Sequence, residues 1–314
     1  MKSDTGISII IPVYNRAKVV GRTLASVADQ TYRPLNVILV DNNSTDESFA
    51  VLQKWAADNA EADFSITLLQ EPKPGATAAR NCGLRAASTP YVMFFDSDDT
   101  MSPLLVESIM KYFASDAAID LVGWDISQQL PSGRIRTGYF RTGNPLYHHI
   151  IHGTLSTQRY ACSRKLVIEA GLWNESVRGW NDYELGIRIL TRHPHIEKIN
   201  LNQPVQTYFT EESITGRTFA TDPDKWEHSL DLCEISLRNA GRIKAIKWID
   251  VRRMILAASY AAEGASAESR RLKNYVINRY AGFNRFVFRL IYLKARIYSR
   301  GTHIIAGLFF SKNI

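Results

Sequence analysis

The chain lacks the two common glycine-rich phosphate-binding motifs. No GxGxxG follows the first apolar run, and no GxxxxGK[ST] occurs anywhere in the 314 residues. The sequence therefore excludes the dinucleotide-binding fingerprint and the P-loop. Any phosphate that the chain binds must be held by metal, arginine or helix N-termini rather than by a glycine cradle.

Cysteine and long apolar runs are also scarce. The chain holds only Cys82, Cys162 and Cys233, an odd number of thiols far apart in sequence. This predicts reduced, cytoplasmic thiols and argues against a disulfide framework or a zinc site. No run of about 18 uncharged apolar residues occurs, which predicts no membrane span. The start, MKSDTG, runs directly into a strand and predicts no secretory signal.

Acidic residues are rare in the last quarter of the chain. Residues 241–314 hold 15 Lys/Arg and 3 Asp/Glu, whereas residues 1–240 hold 23 and 28. The net charge of +7 therefore comes from the C-terminal region. Such asymmetry predicts an anionic partner, either a membrane surface or a nucleic acid. No recognised nucleic-acid motif occurs, so we predict no nucleic-acid partner.

The first hundred residues alternate between apolar strands and helical patterns. We predict strands at 7–13, 35–40, 65–69 and 91–95, and helices at 19–29, after a Ser44–Glu47 capping box, and at 76–86. This order predicts an α/β fold with a mostly parallel sheet and helices on both faces. Ligands of such sheets bind beyond the carboxyl ends of the strands, where Tyr14, Asp41 and Asp96 should converge.

The acidic run Asp96-Ser97-Asp98-Asp99 follows the fourth predicted strand. Carboxylates crowded at a strand end repel one another, and a divalent cation relieves that repulsion. Mg²⁺ and Mn²⁺ prefer oxygen ligands and share their shell with substrate phosphates. The run therefore predicts a metal that holds a diphosphate. The alternative is an acidic turn before a helix starting near Ser102-Pro103.

Five segments together resemble glycosyltransferase family 2, of the GT-A fold. They are ISIIIPVYNR at 7–16, VILVDNNSTDES at 37–48, GATAARNCGL at 75–84, YVMFFDSDD at 91–99 and SRKLVIEAGLWNESVRGWNDYELGIRIL at 163–190. The resemblance covers about the first two-thirds of the chain. It implies a nucleotide-sugar donor of the UDP-sugar class, a Mn²⁺ or Mg²⁺ ion, and inversion at the anomeric carbon.

The resemblance also assigns roles to individual residues. It implies a nucleotide-sugar site at Pro12, Tyr14, Asn15, Asp41, Asn43, Gly75, Arg80 and Asp96. Asp41 would accept a hydrogen bond from the base, and Arg80 would approach the diphosphate. Asp98 would be the main metal ligand of the DXD motif with Asp96 beside it, while Asp99 would support the metal loop or the acceptor. The family usually has DDGSTD where this chain has Asn42 and Asn43 after Asp41, and Asn tolerates a positive φ there.

The catalytic base is implied by the same resemblance. The family places an acidic pair at the start of a helix, and Asp182 matches the second acid while Asn181 replaces the first. An inverting transfer needs a carboxylate to take the acceptor proton. The alternative is that Asp182 only caps the helix. Glu184 should point elsewhere. The resemblance implies a lid over the donor at segment 211–217, and a solvated loop is the alternative.

The C-terminal region is predicted to be a basic helical extension. We expect a GT-A domain at 1–220 and helices at 221–314, the first capped by Asp222-Pro223 and the last spanning 283–298. Its basic and aromatic residues predict peripheral contact with the inner face of the cytoplasmic membrane. The alternative is that the aromatic residues pack on the catalytic domain or on a second subunit.

The predicted function is sugar transfer to a saccharide or lipid-linked saccharide hydroxyl in cell-surface polysaccharide synthesis. The QxxRW motif of processive polymerases is absent. Two other functions rank below this one, with nucleic-acid binding last. The chain could be a non-catalytic nucleotide-sugar-binding module, as Asn42 and Asn181 allow, or a nucleic-acid-binding protein, as the basic region allows.

Overall fold

The computed structural model describes residues 6–209, 219–298 and 301–314. The chain forms two compact units, of which the first comprises Met1–Thr142, Thr154–Ser176 and Arg192–Glu211. The second comprises Gly143–Gly153, Val177–Thr191 and Glu212–Ile314. Residues 143–153 and 177–191 thus group with the C-terminal helices, although they precede residue 220. The predicted division at residue 220 places them in the first domain. The boundary at 220 remains a prediction.

The strands of the first unit form two sheets. In chain order they are β1 (Ile7–Val13), β2 (Leu35–Asp41), β3 (Phe64–Gln70), β4 (Tyr91–Phe94), β5 (Thr100–Met101), β6 (Leu121–Gly123), β7 (Ile126–Gln129), β8 (Ile135–Gly138), β9 (Tyr160–Ser163), β10 (Ile196–Lys198) and β11 (Val205–Tyr208). The main sheet has the order β10-β6-β9-β4-β1-β2-β3, and the small sheet β5-β11-β7-β8. As predicted, β1 to β4 are mutually parallel. Strand β9 runs antiparallel to both of its neighbours.

Helices complete both units. They are α1 (Val20–Ala28), α2 (Ser48–Asn59), α3 (Ala76–Ala86), α4 (Leu105–Ser115), α5 (Pro145–His152), α6 (Arg164–Glu169), α7 (Asn181–Leu190), α8 (Pro223–Asn239), α9 (Ile246–Ala262), α10 (Ser266–Asn278), α11 (Gly282–Ile297) and α12 (Thr302–Phe309). Helices α5 and α7 to α12 belong to the second unit. Among the residues described, no helix combines the length and apolar content that crossing a membrane requires.

The core of the first unit lies around β1. Six of its seven residues are buried, because the strand is central and covered on both faces. Gly83 on α3 faces Ile10, and a Cβ at Gly83 would collide with that side chain. The glycine thus lets the helix approach the sheet closely. Each fully buried aliphatic side chain of this core contributes about 1.5–3 kcal/mol.

Local expectations were wrong at two helix starts. The capping box does not form, because α2 begins at Ser48 and Glu47 makes no capping hydrogen bond with its side chain. The Ser44 hydroxyl instead accepts a hydrogen bond from the Asn15 N–H, at 3.1 Å. Helix α4 begins at Leu105, after the predicted Ser102-Pro103. The Asp222 cap is confirmed, since its side chain accepts from the Lys225 N–H at 3.3 Å.

A buried ion network links the helices of the second unit. The Arg253 guanidinium donates to Asp231, Glu234 and Asp250 at 2.6–2.7 Å. Arg279 donates to the same Glu234 at 2.6 Å. We call this group the Arg253 network. Because α8, α9 and the end of α10 each contribute to it, the network fixes their mutual positions.

Candidate active site

The carboxyl ends of β1, β2 and β4 lie at one edge of the main sheet. Val13 of β1 is paired with Asp41 of β2, and Ile10 with Phe94 of β4. Tyr14 and Asp96 follow these strands directly, so the three predicted residues come to the same edge as expected. Tyr14 is exposed.

Asp41 is a buried carboxylate, and one of its oxygens is an unsatisfied hydrogen-bond acceptor. Its Oδ2 accepts from the Ser44 N–H at 3.3 Å. Its Oδ1 is buried and has no hydrogen-bond partner within the described residues. A buried oxygen of this kind is costly unless a ligand satisfies it. The position therefore suits a donor N–H of a bound base.

The loop after β2 is held by asparagines. Asn15 and Asn43 both have positive φ, 51° and 59°, which confirms that asparagine supports the turn. Pro12 lies inside β1, paired with Val40. Asn15 Oδ1 accepts from the Thr45 N–H at 2.8 Å, and Asn43 Nδ2 donates to the Pro72 carbonyl. These contacts tie together the loops that carry the predicted nucleotide-binding residues.

Asn42 has a structural role that pattern comparison did not reveal. Its Nδ2 donates to the carbonyls of Glu71 and Lys73, and its Oδ1 accepts from the Gly75 N–H at 2.7 Å. The amide thus ties the loop after β2 to the loop before α3. Gly75 has a φ of 124°, which favours glycine. A carboxylate at position 42 could accept the Gly75 bond but could not donate the other two.

Arg80 reaches the acidic loop from α3. Its guanidinium lies 4.5 Å from the Trp173 ring centre and donates to Asp96 Oδ1 at 2.9 Å. The side chain is almost fully buried. Arg80 was predicted to approach the diphosphate, and the structure shows it paired with Asp96. The ion pair therefore neutralises the Asp96 carboxylate at this edge of the sheet.

The acidic loop holds its carboxylates under opposing influences. Burial, reinforced by the Asp96 carboxylate, raises the pKa of Asp98, while Arg16 and Arg22 oppose the shift. Burial and the carboxylates of Asp96 and Asp98 raise the pKa of Asp99 well above its usual value. Asp99 Oδ1 accepts from the Tyr208 N–H at 3.0 Å, so this residue supports the loop.

The loop fits a metal whose shell is completed by substrate. In the described ranges, no three His, Cys, Asp or Glu side chains are arranged to hold an ion by themselves. Mg²⁺ and similar ions need only one or two protein carboxylates when phosphates supply further oxygens. Asp98 and Asp96 provide such carboxylates, and a cation would relieve the repulsion that raises the Asp98 pKa.

Three arginines at this edge were not predicted. Arg16 Nε lies 3.7 Å from Asp98 Oδ2, and Arg22 donates to the Asp98 carbonyl. Arg159 precedes β9 and is buried, and its Nε and Nη2 have no hydrogen-bond partner in the described part of the chain. Arg16 could have been found, because it follows β1 within the quoted motif. Arg159 carries no sequence signal, because its position depends on the reversed direction of β9.

Asp182 lies in the first turn of α7, in the second unit. The helix begins at Asn181, as predicted, and Asp182 Oδ1 accepts from the Tyr183 N–H at 2.8 Å. Glu184 is buried and binds Arg188 at 2.7 Å, so it does point elsewhere. The predicted lid at 211–217 lies outside the described residues.

Aromatic packing positions the start of α7. The Trp180 ring lies 5.0 Å from Trp226, within an aromatic cluster of the same unit. Gly186 faces the His149 ring of α5 with no room for a Cβ, and His149 Nε2 lies 2.9 Å from the Tyr183 carbonyl. Helix α7 is therefore held tightly against α5.

A cavity of about 540 Å³ opens at the opposite edge of the main sheet. It is lined by residues at the start of β4 and the end of β9, among them Tyr91, Arg164 and Glu169. None of the predicted site residues lines it. This cavity is therefore separate from the predicted site residues at the strand ends.

Comparison with known proteins supports the resemblance to a family. Residues 8–163 match the sequence model described as Glycosyl transferase family 2. The matched segment, just under half of the chain, resembles glycosyltransferase family 2. The resemblance seen in the sequence is thus confirmed.

Several curated relatives are glycosyltransferases. Glycosyltransferase GlyA of Streptococcus pneumoniae is 34% identical over 123 residues, which are 39% of this chain and 17% of GlyA. Uncharacterized glycosyltransferase YibD of Escherichia coli is 30% identical over 152 residues, 46% of this chain and 43% of YibD. The chain therefore matches less than half the length of these two relatives. The Escherichia coli UDP-Glc:alpha-D-GlcNAc-diphosphoundecaprenol beta-1,3-glucosyltransferase WfaP is 25% identical over 205 residues, 65% of this chain and 76% of WfaP.

Solved structures confirm the GT-A fold. TarS of Staphylococcus aureus, in complex with UDP-GlcNAc, superposes with a TM-score of 0.68 at 16% identity. The match covers 93% of this chain and 87% of that one. Mannosyltransferase PcManGT of Pyrobaculum calidifontis, in complex with GDP-Man and Mn²⁺, gives a TM-score of 0.55 at 17% identity, over 94% and 87% of the chains.

Proposed function

We propose that this chain is a metal-dependent, inverting glycosyltransferase. It moves a sugar from a nucleotide-diphospho-sugar to a hydroxyl of a saccharide or lipid-linked saccharide. The donor that we propose is a UDP-sugar. The observation that carries the proposal is one sheet edge with two features. They are the open Oδ1 of buried Asp41 and the crowded carboxylates of Asp96 and Asp98.

The donor class is supported by chemistry and by relatives. A buried carboxylate oxygen accepts the N–H of a uracil ring, and Asn15 and Asn43 shape the surrounding loop. WfaP is named for a UDP-Glc donor and a diphosphoundecaprenol-linked acceptor. A lipid-linked acceptor of that kind would place the reaction at the inner face of the cytoplasmic membrane, in cell-surface polysaccharide synthesis.

The reaction is a single displacement. The acceptor hydroxyl oxygen bonds to the anomeric carbon, and the bond from that carbon to the diphosphate oxygen breaks on the opposite face. The electron pair leaves with the nucleoside diphosphate, and Asp182 takes the hydroxyl proton. Asp98 and Asp96 would hold the Mn²⁺ or Mg²⁺ ion, which supplies charge neutralisation to the leaving diphosphate. Arg80 adds a fixed positive charge beside Asp96.

A donor screen tests this function. Purified protein with Mn²⁺ is incubated with a panel of nucleotide sugars, and the nucleoside diphosphate released by slow transfer of the sugar to water is measured. We expect release from one donor, a loss of about 10²–10⁴-fold in Asp182→Asn, and unchanged UDP affinity in that variant. Asp98→Ala should lose release, while Asp116→Asn, at the end of α4, serves as the control. UDP binding without release of nucleoside diphosphate from any donor would contradict the transferase function. Normal release by Asp182→Asn would contradict the assignment of Asp182 as the base.

Asp41→Asn tests the base-binding residue separately. The variant keeps the shape of the side chain but removes its charge. Hydrogen bonds to charged groups contribute about 1.5–3 kcal/mol, so UDP affinity should fall about tenfold to a hundredfold. Isothermal calorimetry with UDP measures the loss. Undiminished affinity would mean that Asp41 does not contact the base.

The alternative function, a nucleotide-sugar-binding module without catalysis, depended on Asn42 and Asn181, and Asn42 no longer supports it. Asn42 replaces an acid of the family pattern, but here its amide ties two loops of the site together. The substitution is therefore compatible with a working site. Only Asn181 still favours a binding module.

A further inference from the structure

The last two helices of the second unit present apolar side chains to solvent. On α11 the exposed set recurs at helical spacing and forms one stripe along the helix, consisting of Phe283, Phe286, Leu293 and Ile297. Ile297 is 85% exposed. The opposite face is buried and consists of Val287, Phe288, Ile291 and Ala295. The helix is therefore apolar on two faces, only one of which the protein covers.

Helix α12 extends this surface. Ile304, Leu308 and Phe309 are exposed on it, Leu308 by 75%. The Phe309 ring lies 5.7 Å from Phe283, which in turn lies 6.4 Å from Phe286. We call the seven exposed side chains of the two helices the C-terminal apolar patch. Contiguous exposed apolar surface of this kind marks an interaction site.

Basic residues border the patch. At 100° per residue, Arg285, Arg289 and Arg296 fall along one side of the α11 stripe, and Lys294 falls on the other side. The sequence from 269 to 314 holds ten Lys/Arg and no Asp/Glu. The occupant of the patch must therefore offer apolar contact at its centre and negative charge around it.

We propose that the C-terminal apolar patch is a docking surface for a bilayer of anionic phospholipid. The apolar side chains enter the boundary between headgroups and acyl chains, and the flanking arginines and Lys294 meet the lipid phosphates. A second copy of the chain would bring two basic borders together, which opposes association. A nucleic acid would satisfy the charge but leave the stripe of phenylalanine, leucine and isoleucine uncovered.

Vesicle flotation of the full chain tests this surface and does not depend on sugar transfer. We expect binding to vesicles of phosphatidylglycerol and phosphatidylcholine, and much weaker binding to phosphatidylcholine alone. Each basic residue near such a surface is worth about a fivefold change in partitioning. The variant Arg285→Gln/Arg289→Gln/Arg296→Gln should therefore bind about a hundredfold more weakly at low salt.

A second variant addresses the apolar contribution. Phe286→Ser/Leu293→Ser/Ile297→Ser changes only exposed side chains, so thermal unfolding should stay unchanged. We expect it to lose the binding that survives at high salt, where charge attraction is screened. UDP binding should be normal in both variants, which separates a failure of this proposal from a failure of the proposed function.

Matched controls use exposed positions of the first unit and of α8. Arg134→Gln/Arg141→Gln/Lys165→Gln removes the same charge, and Ile235→Ser removes an exposed apolar side chain. Both controls should float like the wild type. Equal binding to the two vesicle types, or equal loss in controls and test variants, would overturn the proposal. So would an apolar variant that breaks an oligomer but still floats, because the patch would then be a protein interface.

Discussion

The strand-end loop and the C-terminal helices each gather acidic side chains, and their surroundings differ. In the loop, burial and neighbouring carboxylates raise the pKa values of Asp98 and Asp99. In the helices, burial also opposes the charge of Glu234, but hydrogen bonds from Arg279, Arg238 and Arg253 lower its pKa to about 2.

The difference predicts which cluster gains more from an added cation. The Arg253 network brings its own cations, and with Arg238 three arginines face the carboxylates of Asp231, Glu234 and Asp250. Burial still raises the pKa of Asp250, but hydrogen bonds from Arg253 and Tyr280 oppose the shift. The loop has Arg16 and Arg22 nearby but leaves its carboxylates in mutual repulsion. A network that is complete by itself stabilises a fold, whereas an incomplete one gains from an added cation.

The largest expected effect comes from breaking the complete network. Arg253→Met leaves Asp250 and Glu234 buried with fewer partners, which should cost about 3–5 kcal/mol of unfolding free energy. Urea denaturation measures it. Arg271→Met, which removes the more exposed pair with Glu227 at 2.6 Å, should cost no more than about 1 kcal/mol. Equal losses of unfolding free energy in the two variants would show that the Arg253 network stabilises the fold no more than an exposed ion pair does.

Adding a cation should distinguish the two clusters next. UDP with Mn²⁺ at about a hundredfold excess over its dissociation constant should stabilise the protein by about 2.7 kcal/mol. The rise in unfolding temperature should vanish in Asp98→Asn and persist in Arg271→Met. A rise that survives Asp98→Asn would remove this residue from the metal site.

Acid should weaken the helical cluster through Glu234. Because its pKa in the folded protein lies below the unfolded value, its stabilising contribution is present above about pH 4.5 and is lost as the pH falls towards 2. We expect Glu234→Gln to flatten the fall in stability between these values by about 2 kcal/mol, allowing for solvent screening. An unchanged slope would mean that other groups cause the acid sensitivity.

The smallest effect should come from the same substitution at the sheet edge. Arg159 is buried like Arg253 but donates no hydrogen bond from Nε or Nη2 within the described residues. Arg159→Met should therefore change stability by no more than about 1 kcal/mol, or increase it. A loss as large as that of Arg253→Met would reveal a partner for this guanidinium.

The regular elements of the first hundred residues could be predicted because their signals are local. Strand β1 and helix α3 begin and end at the predicted residues, and β4 ends one residue early. The acids of the loop were also evident, since they follow a strand directly. These features depend only on neighbours in sequence and on the burial pattern.

The misses depend on contacts between distant residues. The sequence around Ser44 is typical of a helix cap, but its hydroxyl accepts a hydrogen bond from the Asn15 N–H of another loop. The pairing of Arg80 with Asp96 and the reversed β9 have no local signal either. Helix α12 was not predicted, because its apolar residues do not follow the pattern of a helix covered on one side.

The contact of Gly186 with His149 constrains how this part of the chain can vary. Asp182 lies one helical turn before the glycine, so the spacing between α5 and α7 sets where that turn begins. A methyl group at 186 would push α7 outward unless the residue at 149 became smaller. We therefore expect positions 149 and 186 to covary in side-chain size among homologues, with a larger residue at one matched by a smaller residue at the other.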